Sequence, residues 1–176
     1  EMKRVSKLGL GEALFAGWRY LDSAGREPDP EFVLNRPVYG GASILLAGAN
    51  FGCGSSREHA VWALKEYGIR AVIAPGFGAI FANNCVRNGL LPLVLDEAAI
   101  AEIARWVEVD PAAHRVLIDL PGQRVEAGSR CWPFEIDRAA SNMLVQGLDA
   151  IALTQTRSDL IGDFHQQRRQ LRPWLF

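Results

Sequence analysis

Cysteine is scarce and scattered. Cys53, Cys85 and Cys131 are the three in a chain of 176 residues, far apart and without a CxxC pair. That spacing makes neither a disulfide framework nor a recognisable metal or iron–sulfur motif, so no metal is expected on this chain, and any metal chemistry has to come from another one. Long hydrophobic runs are missing too. Nothing approaches the roughly 20 apolar residues that cross a bilayer, and the opening EMKRVSKLGLGE lacks the apolar core of a signal peptide. A cytoplasmic protein without membrane contact is the expectation. Nor is there an excess of one charge: 19 Lys and Arg against 20 Asp and Glu leave a net charge of -1. Nucleic acid and anionic membranes demand a strongly basic face, which this balance does not supply. No internal repeat, low-complexity tract or second domain is visible.

What is present suits one compact globular domain over residues 1–176. Apolar residues make up 49% and charged residues 22%, and a chain of this size buries about 70% of its extended surface without needing staples. Of the five tryptophans, Trp18, Trp62, Trp106, Trp132 and Trp174, most are expected in the core, with the rest on a partner surface, where aromatics are enriched.

In chain order, a short helix is expected over Glu12 to Phe15. The stretch RYLDSAGREPDPEFVLNRPVYGG carries Gly25, Pro28, Pro30 and Pro37, which predict a long ordered loop. SILLA, Ser43 to Ala47, is an apolar run bounded by glycines, as in a strand covered on both faces. It feeds a glycine-rich turn and a helix with Ala60, Ala63, Leu64 and Tyr67 on one face, stopped by Gly68 as a left-handed cap. AVIA, Ala71 to Ala74, is the next buried strand, so the unit is strand, helix, strand with a right-handed parallel crossover. Pro75, Gly76 and Gly78 form a second turn at the same sheet end, before a helix from Ala79 to Arg87 and the strand Leu91 to Leu95. A helix over Glu97 to Val109 precedes hairpins built from RVLID, RVEA and RCWPFEI. Asp137 is expected to cap a helix over Arg138 to Gln146, and Ser158 the last one.

The stretch that carries chemistry is GANFGCGSSREHAVWALKEYG, Gly48 to Gly68. Both turns lie beyond the carboxyl ends of parallel strands, where ligands of open α/β sheets sit. Ser55 and Glu58 fit the capping box S-x-x-E, which by itself means only a well-made helix start. Gly48, Gly52 and Gly54 before it allow close backbone approach, and Ser55, Ser56 and Arg57 bring two hydroxyls and a fixed positive charge to a helix N-terminus that already favours anions. The residues alone therefore describe a phosphate or carboxylate site. A Walker loop is excluded, since Cys53 follows Gly48 by five and the loop has no lysine; the dinucleotide fingerprint fails because Arg57 replaces its last glycine. A hydrolase with Ser55 or Cys53 as nucleophile and His59 as base lacks the G-x-S-x-G elbow.

GANFGCGSSREHA, together with VIAPGFGAIFANN, NGLLPLVL, QGLDAIALT and the early GWRYLD in this order, resembles the small subunits of bacterial 3-isopropylmalate dehydratase, in the aconitase superfamily. The resemblance implies an α/β fold, the swivelling β/β/α domain of aconitase type with a parallel βαβ core and C-terminal hairpins and helices. It implies a hydro-lyase of leucine biosynthesis, active only with a large subunit that carries a four-iron, four-sulfur (4Fe-4S) cluster, and a small dicarboxylate substrate. Carried over by motif, Ser55 is the catalytic serine, whose alkoxide removes a proton from carbon, while Ser56, Arg57 and Gly54 bind substrate carboxylate and stabilise that alkoxide. Related hydro-lyases of the homoaconitase or citraconate/methylmalate type, and a non-catalytic anion-binding module, are the alternatives.

The sequence departs from the family in two places. The family begins with a strand and a turn rich in Asp-Thr-Asp-x-Ile-x-Pro, followed by a substrate-contacting loop; here the chain starts near the end of that loop, with Lys3 and Arg4 as its remnant. Ala139, Ala140 and Ser141 stand where relatives carry Phe-Arg-Lys or Phe-Arg-Arg, which removes a basic contact.

Overall fold

A computed structural model describes residues 9–22, 26–54 and 57–175. At its centre is a three-stranded parallel sheet of β3 (Ile44–Leu46), β4 (Ala71–Ala74) and β5 (Leu91–Val94), in that spatial order. Helix α2 (His59–Tyr67) connects β3 to β4, and α3 (Ala79–Arg87) connects β4 to β5. Helix α4 (Glu97–Val109) follows, with Asp96 as its N-cap accepting from the Ala99 amide at 2.7 Å. The antiparallel sheet of β6 (Val116–Asp119), β7 (Arg124–Ala127) and β8 (Arg130–Pro133) comes next.

Alternation along the central strand β4 divides the core in two. Val72 faces one apolar cluster with Val61 and Leu64 of α2 and Phe81 and Cys85 of α3. Ala71 and Ile73 face the other, with Leu93, Ile103 of α4 and Val125 of β7. The central sheet is thus sandwiched between α2 and α3 on one side and α4 with the antiparallel sheet on the other. Strand β4 is wholly buried, whereas β3, at the edge, is half-buried throughout. Both its faces are nevertheless covered in part, Leu45 and Ala47 packing against one core and Ile44 and Leu46 against the other, as SILLA leads one to expect.

The chain before β3 is less loop-like than its prolines suggest. The turn over residues 11–15 is not the expected helix, which comes as a single turn, α1, at Ala16–Arg19. Behind it, β1 (Tyr20–Asp22) and β2 (Glu27–Pro28) pair antiparallel, and two short 3₁₀ turns, Val33–Asn35 and Pro37–Tyr39, complete the segment. It is tied to α2 from several sides. The Glu66 carboxylate accepts from the amides of Gly9, Leu10 and Gly11 at 2.5–2.7 Å. Arg19 donates to the Gly11 carbonyl at 3.0 Å and lies over the Tyr67 ring, whose hydroxyl donates to the Leu34 carbonyl at 2.8 Å.

Three helices end the described chain: α5 (Arg138–Gln146), α6 (Ala150–Gln155) and α7 (Ser158–Leu171), before a last 3₁₀ turn, Pro173–Leu175. Asp137 caps α5 as expected, accepting from the amides of Ala139 and Ala140, and Gly147 ends it in the left-handed conformation. Ser158 is not the cap of α7; Arg157 holds that position, and the Ser158 hydroxyl donates backwards to the Gln155 carbonyl. Trp62, Trp106 and Trp132 pack against the two cores, whereas Trp18 and Trp174 are exposed. Among the described residues no helix is long and apolar enough to cross a membrane.

Candidate active site

Beyond the ends of β3 and β4 the two glycine turns are joined to each other. The ladder runs from the Ala47 amide to the Ile73 carbonyl at 2.9 Å, breaks, and resumes where Phe51 bridges Phe77: the Phe51 amide donates to Gly76 at 3.0 Å and the Gly78 amide to Phe51 at 2.9 Å. Asn50 takes a positive φ of 59° to make the turn, a conformation asparagine tolerates better than most residues. Beneath the joined turns Phe51, Phe77 and Phe81 form a wedge, with ring centroids 5.4–6.4 Å apart.

The glycines serve different ends. Gly52 has φ +76°, and a Cβ there would lie 2.2 Å from Phe81 Cγ; at Gly78 a Cβ would lie 2.7 Å from the Gly52 carbonyl oxygen. These two are required by the close packing of turn on turn and turn on α3. Gly48 and Gly54 face open space. Of the three glycines expected to admit a ligand, Gly52 is occupied with protein packing, whereas the surroundings of Gly48 and Gly54 leave room.

Gly54 is exposed at the rim of the joined turns, and Arg57 is exposed two residues before α2. Ser55 and Ser56 lie outside the described residues, as do Lys3 and Arg4. Helix α2 itself begins at His59, with Glu58 in the N-cap position and no side-chain cap on its first turn. Ser55, the other half of the expected capping box, lies outside the described residues. Glu58 Oε1 accepts from Asn88 Nδ2 at 2.6 Å. Asn88 follows α3, thirty residues further on, and no local pattern announces the pairing. His59 is half-buried, with its ring 4.9 Å from that of Trp62.

Among the described residues no group of three or more His, Cys, Asp or Glu side chains could hold a metal ion. Cys85 is buried between α3 and the sheet, and burial pushes its thiol up to about 12, which leaves it protonated and unreactive. Cys53 and Cys131 are exposed. The cysteines present do not fit an iron–sulfur cluster.

Similarity to known proteins follows the same lines. The aconitase C-terminal domain family matches residues 2–98, which include both joined turns. A 3-isopropylmalate dehydratase small subunit of Cupriavidus necator is 58% identical over 177 residues, covering 99% of this chain and 85% of that protein. The one from Polaromonas is 48% identical over 182 residues, covering 99% and 84%. The one from Leptospira interrogans is 43% identical over 176 residues, covering 99% and 85%. Among solved structures, a 3-isopropylmalate dehydratase of Methanocaldococcus jannaschii superposes with a TM-score of 0.52 at 29% identity, over 68% of this chain and 67% of that one.

Proposed function

Because the chain belongs to the aconitase-type family of 3-isopropylmalate dehydratase small subunits, we propose that it presents Ser55, Ser56, Arg57 and Gly54 to a dicarboxylate held between it and a cluster-bearing large subunit. The family's activity is that of a hydro-lyase in leucine biosynthesis, interconverting 2-isopropylmalate and 3-isopropylmalate by loss and return of water.

The observation that supports the proposal is the joined pair of turns beyond the strand ends, with Gly54 exposed at their rim and Arg57 exposed two residues before α2. Arg57 binds a substrate carboxylate through two parallel hydrogen bonds, a geometry that lysine cannot match. Ser56 contacts the same carboxylate. Ser55, as alkoxide, takes the proton from carbon and returns it on rehydration. A serine hydroxyl is far too weak an acid to act so in water, and its anion depends on oriented amides and the nearby guanidinium. The 4Fe-4S cluster belongs to the large subunit in this proposal, since this chain's cysteines do not fit one. On the compartment, the proposal is cytoplasmic.

The test is to mix the chain with a cluster-bearing large subunit and assay 2-isopropylmalate beside homoaconitate and citraconate-forming substrates. Turnover of 2-isopropylmalate supports the proposal; turnover of one of the others alone moves the chain to a sister hydro-lyase. A formed complex that converts none of the three sinks it and leaves a non-catalytic anion-binding role.

A further inference from the structure

An exposed tryptophan stands beside the joined turns. Trp18, in the single turn α1, is 71% exposed, although tryptophan is highly buried on average. One ring separates it from the first glycine turn. Phe15 stacks on Trp18 with centroids 6.1 Å apart, and its other neighbour is Phe51, met edge-on at 6.4 Å. Phe51 is the residue that bridges to Phe77. The aromatic wedge beneath the joined turns therefore continues to the surface and ends on Trp18.

The outward place of Trp18 is built into the backbone. Phe15 takes φ 54° and ψ 30°, a left-handed conformation that bulky residues avoid, and its carbonyl accepts from the amides of Trp18 and Arg19, both at 2.8 Å. The next residue is pinned inward. Arg19 donates to Asn35 Oδ1 at 3.2 Å and to the Gly11 carbonyl at 3.0 Å, while its own carbonyl accepts from Asn35 Nδ2 at 2.6 Å and from the Asp29 amide at 2.9 Å. Successive residues of a helical turn point about 100° apart, so fixing Arg19 inward holds Trp18 toward solvent. A large apolar side chain presented this rigidly loses little freedom when a partner covers it.

The proposed function sets a large subunit against the joined turns, and a surface one ring away from Phe51 is continuous with that contact. Resting on that reading, we propose that Trp18 is an anchor of the interface with the cluster-bearing large subunit, where it fills an apolar pocket. Tryptophan is enriched among the few residues that dominate binding energy at protein interfaces. The strain at Phe15 then has a use, as strained positions at functional sites do: it holds the anchor beside the turn that carries Gly54.

The test reads assembly rather than turnover, by calorimetric titration of the chain with the large subunit in the absence of substrate. Trp18→Ala is expected to raise Kd about thirtyfold or more, and Trp18→Glu, which sets a charge against the pocket, to raise it further. Trp18→Phe keeps a ring and stays within about fivefold of wild type. Hydroxyl-radical footprinting of the wild-type chain covers the case in which the variants do not fold: oxidation at Trp18, read by mass spectrometry, is expected to fall about tenfold on complex formation, as full burial of an exposed ring requires. A Kd for Trp18→Ala within about threefold of wild type, or equal oxidation of Trp18 in the free and bound chain, overturns the proposal. A complex that protects Trp18 but leaves 2-isopropylmalate unconverted supports the docking role and sinks the proposed function. Turnover by a complex indifferent to Trp18 does the reverse.

Discussion

Gly78 passes so close to Gly52 that a Cβ on Gly78 would lie 2.7 Å from the Gly52 carbonyl oxygen, 3.1 Å from its carbonyl carbon and 3.2 Å from Cys53 Cα. The neighbours are backbone, which cannot swing aside as a side chain would. Gly78→Ala therefore pushes the two turns apart, and a cost of about 1–3 kcal/mol is expected. Gly52→Ala is worse, about 2–4 kcal/mol, because the new methyl meets Phe81 and φ is +76°. Gly48→Ala, with nothing within 4 Å, is the control and is expected to stay within about 0.5 kcal/mol. Urea unfolding midpoints of the three variants check the order; a Gly48→Ala loss as large as that of Gly52→Ala would refute it.

The parallel core was legible because its signals are local. Short apolar runs marked β3, β4 and β5, and the sequence placed α3 and α4 at the ends the structure gives them. What was hidden depends on partners distant in sequence. Glu58 pairs with Asn88, thirty residues further on, and Gly52 answers to Phe81. The β1–β2 hairpin has strands of three and two residues, too short for alternation to show. Helix α6 was missed although Asp149 caps it on the Ala152 amide at 2.7 Å, since AIALTQ is short and nearly uniform in polarity. At the site, the motif announced Gly54 and Arg57 by type, but nothing local told which glycines serve packing and which leave room.

The three amides that bond Glu66 hold its carboxylate below its ordinary range, Gly9 contributing most, then Gly11, with Leu10 less and partial desolvation opposing. A depressed folded-state value means that the stabilisation is fully present above the unfolded value of about 4.3 and is lost as pH falls through the folded value. Glu66→Gln removes this dependence. Its unfolding midpoint is expected below that of wild type at pH 7, with the gap closing as pH drops well under 4. A gap that stays constant across this range would show that the clamp on residues 9–11 does not depend on the carboxylate's charge.

Among the described residues none after Phe134 belongs to the buried core, and α7 is exposed along its whole length, with Leu160, Phe164 and Leu171 more than half accessible. A helix of 14 residues without a packed face is marginal in water. Ending the chain after Thr156 is accordingly expected to change unfolding free energy by no more than about 1 kcal/mol, read by urea denaturation of the two chains. A large loss would mean that α7 supports the cores after all.

For Ser55, stability and catalysis are expected to separate. Ser55→Ala is expected to cost no more than a lost helix cap does, about 1 kcal/mol. Turnover by the assembled complex is expected to fall about a hundredfold or more, with KM little changed, because the alkoxide is needed only when the proton moves. Intact turnover in a folded Ser55→Ala complex would remove this serine from the chemistry.

Arg57 tests the carboxylate side of the same site. Lysine keeps the charge but replaces a planar fork with a single ammonium, so Arg57→Lys is expected to raise KM about tenfold, and Arg57→Gln, which loses the charge as well, by about a hundredfold. Because Arg57 is exposed and precedes α2, neither change should move the unfolding midpoint by more than surface substitutions do, about 0.5 kcal/mol. The order of KM in wild type, lysine and glutamine variants, measured with 2-isopropylmalate on the assembled enzyme, distinguishes the two contributions. Equal losses in both variants assign the binding to fork geometry alone, and equal KM in wild type and lysine assigns it to charge.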